Sequence, residues 1–257
     1  MNKFEIVTEM TKEIFGKKLF RIRALVSFGC VNKGDLGGWI EKEDNLSQKD
    51  NAWVYGDARV FGDARVSGNA RVYGDARVSG NARVYGDAWV SGNARVHGDA
   101  RVHGDAWVYG DAWVYGDARV HGDAWVYGDA WVYGDARVYG DARVYGDARV
   151  YGDAEVYGNA RVYGDAEVYG NAEVFGDAQW ITISPIGSEN GILTAFRQKD
   201  NSIMVRRGCF SGTIEEFEKA VNERHGDSKH GDIYRALIPV IKARLEIVNA
   251  NEDTPKD

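Results

Sequence analysis

Three histidines in the middle of the chain are the side chains best suited to acid–base chemistry. His97, His103 and His121 occupy one position of a six-residue repeat, and His103 precedes His121 by eighteen residues. An imidazole changes charge near neutral pH, so these residues are the ones to weigh for proton transfer. Most other repeats carry tyrosine at this position, and each histidine is equally consistent with a variant of an aromatic row.

Other catalytic or cofactor-binding motifs are lacking. The sequence contains no nucleophile triad, phosphate-binding loop or paired zinc motif. The segment Gly34-Asp35-Leu36-Gly37-Gly38 is too loose for a dinucleotide-binding fingerprint and does not open a helix. We therefore expect no cofactor and no metal.

The repeat that carries the histidines predicts the architecture. The unit Val-Tyr-Gly-Asp-Ala-Arg recurs about twenty-one times between Ala52 and Ala178 without insertion or deletion. A period of six, with one aliphatic and one small residue per unit, is typical of an all-β solenoid, a single-stranded parallel β-helix. Val faces inward, Gly with Asp or Asn turns the corner because these residues tolerate positive φ, and Ala fills the interior beside it. Three units then make one coil of eighteen residues.

Eighteen-residue coils bring residues eighteen apart into vertical rows on the outside. The first side carries Trp53, Arg71, Trp89, Trp107, Trp125, Arg143 and Arg161. The second carries Arg59, Arg77, Arg95, Trp113, Trp131, Arg149 and Glu167. The third carries Arg65, Arg83, Arg101, Arg119, Arg137, Glu155 and Glu173. A parallel row dominated by tyrosine runs beside each.

These rows expose more aromatic surface than a monomer usually shows, which indicates an interface or a binding surface. The most clearly defined aromatic cluster consists of Trp89, Trp107 and Trp125 in consecutive coils, with Tyr109 and Tyr127 alongside. Burial between subunits, a ligand or partner surface, and self-stacking of exposed rings all remain open for it. The arginine rows, including Arg83, Arg101 and Arg119, fit either a soluble lattice with Asp or a groove for small anionic aromatic ligands such as nucleotides.

Composition narrows the class of protein. The 257-residue chain has a net charge of -7, without the basic excess that a protein binding duplex nucleic acid normally shows. No apolar run approaches the length of a membrane span, so we expect no membrane association and a cytoplasmic location. The two cysteines, Cys30 and Cys209, lack metal-ligand spacing and are expected to be reduced packing residues.

The flanks predict small terminal modules. We expect an N-terminal β cap over 1–39, the β-helix over 40–183, an α+β C-terminal cap over 184–248 and a disordered tail over 249–257. In the N-terminal cap, residues 13–19 resemble two strand ends joined by a tight turn. In the C-terminal cap, residues 193–196 and 203–206 predict a hairpin, Thr213-Ile214-Glu215-Glu216 a capping box, and residues 233–248 a second helix.

The repeat also resembles a known family. Units such as Val54-Tyr55-Gly56-Asp57-Ala58-Arg59 are similar to the hexapeptide repeats of the trimeric LpxA-like acyltransferase superfamily. The segment from Gly37-Gly38-Trp39-Ile40 through Leu46-Ser47-Gln48 looks like the start of YdcK-type proteins. The resemblance implies a left-handed coil and a homotrimer. It also implies a coil histidine as general base in the catalytic members, and related carbonic anhydrases hold zinc between subunits.

Three functional hypotheses follow. The leading one is a non-catalytic scaffold or binding protein, a homotrimer with aromatic and arginine ladders at the protomer contacts. The alternative is a coenzyme A-dependent acyltransferase, with acetyl-CoA as substrate and His97, His103 or His121 as base. It is weakened because the repeat has no protruding loop from residue 52 to 178 of the kind that shapes the site in catalytic members. A further alternative is a protein that sequesters small nucleotides in clefts between protomers.

Overall fold

The computed structural model describes residues 2–176 and 179–245, and the chain forms two compact units, 1–170 and 171–257. The first unit is a parallel β-solenoid preceded by antiparallel strands, and the second combines an antiparallel sheet with two helices. This arrangement confirms the predicted fold class. The tail predicted over 249–257 lies outside the described residues.

An antiparallel hairpin begins the first unit. Strand β1 (Phe4–Ile14) pairs with β2 (Lys17–Ala24), and β2 pairs with β3 (Leu36–Ile40). Phe15 and Gly16 both have positive φ, as a two-residue hairpin turn requires, which confirms the predicted turn. Ile40 in turn pairs in parallel with Val60, so β3 joins the antiparallel strands to the solenoid. The expected boundary between 39 and 40 therefore falls inside a strand.

After a short 3-10 helix (Glu43–Asn45), the chain enters a run of two-residue strands, one in each hexapeptide. They are β4 (Trp53–Val54), β5 (Arg59–Val60), β6 (Arg65–Val66), β7 (Arg71–Val72), β8 (Arg77–Val78), β9 (Arg83–Val84), β10 (Trp89–Val90), β11 (Arg95–Val96), β12 (Arg101–Val102), β13 (Trp107–Val108), β14 (Trp113–Val114), β15 (Arg119–Val120), β16 (Trp125–Val126), β17 (Trp131–Val132), β18 (Arg137–Val138), β19 (Arg143–Val144), β20 (Arg149–Val150), β21 (Glu155–Val156), β22 (Arg161–Val162), β23 (Glu167–Val168) and β24 (Glu173–Val174).

Every third strand pairs in parallel, which gives the first unit three flat sheets. We call them the tryptophan face (β4, β7, β10, β13, β16, β19 and β22), the mixed face (β3, β5, β8, β11, β14, β17, β20 and β23) and the arginine face (β6, β9, β12, β15, β18 and β21). From β4 onward the partner of each residue is the one eighteen positions on, as in Trp89 with Trp107, whereas Ile40 in β3 pairs with Val60, twenty positions on. The predicted coil length and vertical register are thus confirmed.

The core of the solenoid is aliphatic and dry. The repeat valines, such as Val90 and Val108, and the repeat alanines are fully buried. Burial of one valine side chain contributes roughly 1.5 kcal/mol or more to folding before chain entropy is counted. Because valine and alanine fill the interior, the polar chemistry of this unit is confined to its outer surface.

The corners use glycine alone for their unusual backbone conformation. Gly110 has a φ of 72°, and its counterparts from Gly56 to Gly170 are similar. The aspartates and asparagines after them are not among the residues with positive φ, which corrects the expectation that they share this role. Their contribution is a hydrogen bond between coils, since the backbone N–H of Asp111 donates to the carbonyl oxygen of Gly128 at 2.9 Å.

The N-terminal segment covers the first outer tryptophan. Trp53 was expected on the outer row of the first side, but its side chain is only 1% exposed. The rings of Phe4 and Phe28 pack against it edge-on at centroid distances of 6.2 and 5.4 Å. A Cβ at Gly37 would lie 2.6 Å from the indole, so only glycine fits there. Trp53 is therefore a core residue of the N-terminal segment, and the expectation that it belongs to the outer row was wrong.

The second unit contains a four-stranded antiparallel sheet in sequential order, formed by β25 (Trp180–Ile186), β26 (Gly191–Arg197), β27 (Ile203–Arg207) and β28 (Phe210–Thr213). The predicted hairpin of β26 with β27 is present. Because β25 pairs antiparallel with β26, residues 180–183 belong to this sheet, whereas the expected boundary at 183/184 placed them in the solenoid.

Two helices, α1 (Ile214–His225) and α2 (Lys229–Arg244), follow the sheet. The predicted capping box is formed, because the Glu216 N–H donates to Thr213 Oγ1 and the Thr213 N–H donates to the Glu216 carboxylate. Helix α2 begins four residues before the expected Ile233, since Ser228 caps it by accepting from the Gly231 N–H. Its expected end at Val248 lies outside the described residues.

A pair of glycine variants tests how closely the coils approach. A Cβ at Gly110 would lie 3.0 Å from the Gly128 nitrogen, whereas one at Gly164 would have nothing within 4 Å, and both residues have positive φ. Gly164→Ala should cost about 1 kcal/mol for the left-handed backbone alone. Gly110→Ala should cost a further ~1–3 kcal/mol for overpacking. Thermal unfolding monitored by circular dichroism measures both, and equal losses would contradict the proposed contact between coils.

Candidate functional site

The tryptophan face carries a column of stacked indoles. Trp89 and Trp107 have ring centroids 4.7 Å apart, and Trp107 and Trp125 are 5.3 Å apart, with planes within 13° of parallel. The parallel pairing of β10, β13 and β16 places one indole above the next at each coil. All three side chains are partly exposed. The structure therefore brings together the tryptophans that the sequence selected on this side.

Arginines close both ends of this column. The Arg71 guanidinium lies 5.1 Å from the ring centre of Trp89, and that of Arg143 lies 5.1 Å from the ring centre of Trp125. Cation–π attraction of this kind is worth about 0.5–1 kcal/mol at an exposed site. Both arginines were assigned to the row, but their role at its ends was missed. The eighteen-residue register would have revealed it, since each is one coil beyond the terminal tryptophan.

The mixed face repeats the arrangement with a shorter column. Trp113 and Trp131 stack at 5.2 Å, and the guanidinium groups of Arg95 and Arg149 lie 4.3 and 5.5 Å from the two rings. Tryptophan columns thus occupy two of the three faces. Each is a flat aromatic patch framed by positive charge.

Tyrosine columns run beside the tryptophans. On the tryptophan face Tyr109 stacks on Tyr127 at 4.9 Å, and Tyr127 on Tyr145 at the same distance. Tyr109 also meets Trp125 edge-on at 6.2 Å. The two columns therefore form a continuous aromatic surface rather than separate ridges.

The arginine face has a different character. Arg65, Arg83, Arg101 and Arg119 are all exposed, and among the described residues no ion pair involves any of them. Arg137, one coil further on, reaches Glu155 at 3.4 Å. The expected lattice of Arg with Asp includes the ion pair of Arg59 with Asp75, at 3.1 Å. Most of the positive charge on this face is available to an external anion.

Two of the three candidate histidines meet on the arginine face. His103 and His121 stack with centroids 4.9 Å apart, between Tyr85 at 4.7 Å and Tyr139 at 5.0 Å. Neighbouring rings cover both faces of each imidazole, which leaves the ring edges for chemistry. His97 lies instead on the mixed face, stacked on Tyr115 at 5.0 Å. The three histidines therefore do not form one site.

The environment favours neutral imidazoles. Burial lowers the pKa of His103, and the charges of Arg101 and Arg119 lower it further. Burial is also the largest cause of the lowered pKa of His121. The neighbouring His103 and the positive charges of Arg119 and Arg137 lower it further. The pKa of His97 is lowered by burial and by Arg95. A neutral imidazole can accept a proton, so this geometry is compatible with a general base.

Other expected features can be located as well. Cys30 and Cys209 are unpaired and exposed, which corrects the expectation that they are packing residues. Within residues 2–176 and 179–245, no three His, Cys, Asp or Glu side chains are grouped as a metal site would require. Neither described helix combines the length and the apolar character needed to cross a lipid bilayer.

Valine-cored coils of eighteen residues define a hexapeptide-repeat parallel β-solenoid. The family model described as the YdcK beta solenoid repeat matches residues 52–68, 64–78, 76–92, 88–104, 112–128 and 142–156. These matches cover about a third of the chain and support a YdcK-like hexapeptide-repeat family for the solenoid, which confirms the resemblance seen in the sequence.

One curated relative matches a short stretch of the chain, and one solved structure matches more of it at low similarity. A stretch of 52 residues, 20% of this chain, is 42% identical to the "Uncharacterized acetyltransferase YdcK" of Escherichia coli K12. That stretch spans 16% of the relative's length. The crystal structure of an acetyltransferase candidate from Bacillus cereus aligns with 78% of this chain and 96% of its own. Its identity of 12% and TM-score of 0.24 make that likeness too distant to bear on fold or function.

Replacing the stacked histidines should change how stability depends on pH. Because their pKa values are lowered in the folded state, the unfolded chain takes up protons first as the pH falls below about 6.5. The stability that the neutral histidines contribute is therefore fully present above that pH. It is lost as the pH falls towards their lowered pKa values in the folded protein. The double variant His103→Tyr/His121→Tyr, which uses the commonest residue of the row, should lose less thermal stability than the wild type between about pH 7.5 and 5.5.

Thermal unfolding at each pH measures the effect. Tyr145→Phe, on the tryptophan face, is the control because it removes no group that titrates in this range. An unchanged pH profile in the double variant would show that the two histidines have ordinary pKa values.

Proposed function

We propose that the solenoid is a non-catalytic scaffold or binding module that assembles as a homotrimer through its aromatic columns. The observation that carries the proposal is the partly exposed column of Trp89, Trp107 and Trp125, in register on a flat face. Contiguous aromatic patches of this kind mark interaction surfaces, and tryptophan is among the residues that contribute most to binding energy.

The distribution of the columns supports a ring. A closed cyclic assembly with head-to-tail contacts needs two different, complementary patches on each protomer. Trp107 lies on the tryptophan face and Trp113 on the mixed face, only six residues apart and in the same coil. The third face lacks tryptophan and carries arginines instead. Each protomer thus offers two adjacent aromatic patches and one polar face that would remain in solvent.

The regularity of the coils favours binding over catalysis. From Val54 through Val168, each described core valine follows the last by six residues, so no loop projects from the solenoid to shape a substrate cleft. The exposed surface is flat and periodic. Such a surface suits a broad contact with another flat surface. The unpaired thiols of Cys30 and Cys209 support a reducing location, which for this proposal is the cytoplasm.

The triple variant Trp89→Arg/Trp107→Arg/Trp125→Arg tests the assembly. Arginine occupies this position elsewhere on the same face, at Arg71 and Arg143, so the fold should be retained. We expect the mass measured by light scattering to fall from that of a trimer to that of a 28.5 kDa single chain.

Two measurements make this test decisive. An unchanged circular dichroism spectrum shows that the variant is folded. The double variant Arg83→Gln/Arg101→Gln on the arginine face is the control, and its mass should equal that of the wild type. A wild-type protein that is monomeric at all concentrations would refute the trimer.

A second candidate function is acetyl transfer. It is supported by the name of the Escherichia coli relative and by the neutral imidazoles of His103 and His121. In such a reaction an acceptor nitrogen or oxygen attacks the carbonyl of acetyl-CoA while an imidazole nitrogen takes the acceptor's proton. The carbon–sulfur bond then breaks, and coenzyme A leaves as its thiol. The exposed edges of the stacked rings are where such a base would act.

Calorimetry with acetyl-CoA distinguishes this candidate from the scaffold. If the acyltransferase proposal is right, acetyl-CoA binds to the wild type, and release of the coenzyme A thiol in the presence of an amine acceptor is lost in His103→Ala or His121→Ala but kept in His97→Ala on the mixed face. ATP and cyclic nucleotides belong in the same series because the unpaired arginines would also suit a protein that sequesters nucleotides. Binding of these nucleotides as tight as that of acetyl-CoA would favour nucleotide sequestration. If none of the ligands gives a heat of binding, the result favours the non-catalytic scaffold.

A further inference from the structure

The second unit contains a cleft that neither the repeats nor the family match accounts for. Its volume is about 210 Å³, and it opens between the turns of the sheet and the two helices. The residues that line it include Arg207, Cys209, Phe210, Phe217, Arg224 and Tyr234. An apolar cavity of about 150 Å³ is sufficient to hold benzene. The cleft can therefore accept a ligand of one ring with a small substituent.

The floor of the cleft is aromatic and rigid. Phe217 and Val221 on α1 and Tyr234 on α2 are each less than 5% exposed. The Phe217 ring stands edge-on to that of Tyr234 at 5.6 Å and lies 5.3 Å from the ring of Phe210. Phe210 also lines the cleft and is partly exposed, so its ring offers the aromatic surface that a guest can contact, above the buried rings of Phe217 and Tyr234. The floor is thus chemically suited to an aromatic guest.

A guanidinium is fixed at the wall of the cleft. Arg207 Nη2 donates to the Ile186 carbonyl oxygen at 2.8 Å, while Arg207 Nε is buried without a protein partner among the described residues. A Cβ at Gly191 would lie 2.7 Å from Nη1, and one at Gly187 would lie 2.8 Å from Nη2 and collide with the Tyr234 hydroxyl. The two glycines therefore keep open the space that Arg207 occupies.

The charges around the cleft favour an anion. Two lining residues, Arg207 and Arg224, carry permanent positive charge, and Glu189 is the only acidic residue in the lining. His225 packs against Tyr234 at 5.4 Å and adds a further nitrogen donor or acceptor.

We propose that this cleft is a binding site for a small aromatic carboxylate consisting of a single ring. The ring packs on Phe210 above the floor formed by Phe217 and Tyr234, and the carboxylate pairs with the guanidinium groups of Arg207 and Arg224. Arginine suits this role because its planar N–H groups match the geometry of a carboxylate. The site is independent of the assembly and of any acetyl transfer by the solenoid.

Benzoate is the probe that tests the proposal, with benzylamine as the cation of the same shape. Calorimetry on the full chain should show binding of benzoate and none of benzylamine. Arg224→Gln should weaken benzoate binding about tenfold or more, as expected for loss of a charged hydrogen bond. Lys219→Gln, which removes an equal charge from an exposed position on α1 outside the lining, should leave the affinity unchanged.

A second variant fills the cleft instead of changing its charge. Ala220 lines the cleft on α1, and Ala220→Leu adds bulk with a residue that favours helix, so the unit should stay folded. This variant should abolish benzoate binding, while circular dichroism confirms its helices.

The two cysteines provide a readout resolved by site. Cys209 lies in the two-residue turn between β27 and β28 and lines the cleft, whereas Cys30 is exposed in the other unit. Saturating benzoate should slow alkylation of Cys209 by iodoacetamide and leave Cys30 unaffected, as followed by peptide mass spectrometry. Equal binding of benzoate and benzylamine, undiminished affinity in Ala220→Leu, or unchanged labelling of Cys209 would each overturn the proposal.

Discussion

At the corners of the solenoid, one glycine lies against the glycine eighteen residues later, so closely that a Cβ on the lower one would come within about 3 Å of the upper backbone in most coils. The left-handed backbone of these glycines turns the chain, and the following N–H bonds to the glycine carbonyl above. Only a chain without side chains at this point can stack at the spacing of hydrogen-bonded strands. The vertical alignment of every outer residue is a consequence of this contact.

That alignment determines what the surface can do. Aromatic residues placed one strand spacing apart stack almost ideally, as in Tyr115 on Tyr133 at 4.9 Å. The same spacing brings arginines such as Arg101 and Arg119 into an unfavourable row of like charges. An array of this kind is therefore suited to partners that bury rings on two faces and supply negative charge on the third. The binding properties of such a surface therefore depend on whole rows of side chains rather than on single residues.

The periodic part of the structure could be predicted from sequence because one strong constraint governs each residue. Val90 must face inward, and Trp89 must lie beside Trp107 once the coil length is known. The burial of Trp53 could not be predicted in this way, since it depends on Phe4 and Phe28, which lie outside the repeat. The cleft around Arg207 was missed for a similar reason: its lining comes from four separate segments, and no spacing in the sequence connects them.

The eighteen-residue register also limits how such an array can change its length. Loss of residues 107–124 would join Ala106 to Trp125 and leave every later side chain on its present face. Loss of the single hexapeptide 107–112 would instead carry Trp125 to the place of Arg119, in the arginine row. Unequal recombination within the repeats thus preserves the pattern of the surface only when it adds or removes whole turns. Adding or removing any other whole number of hexapeptides rotates the distal surface by one third of a revolution, in one direction or the other, relative to the proximal one.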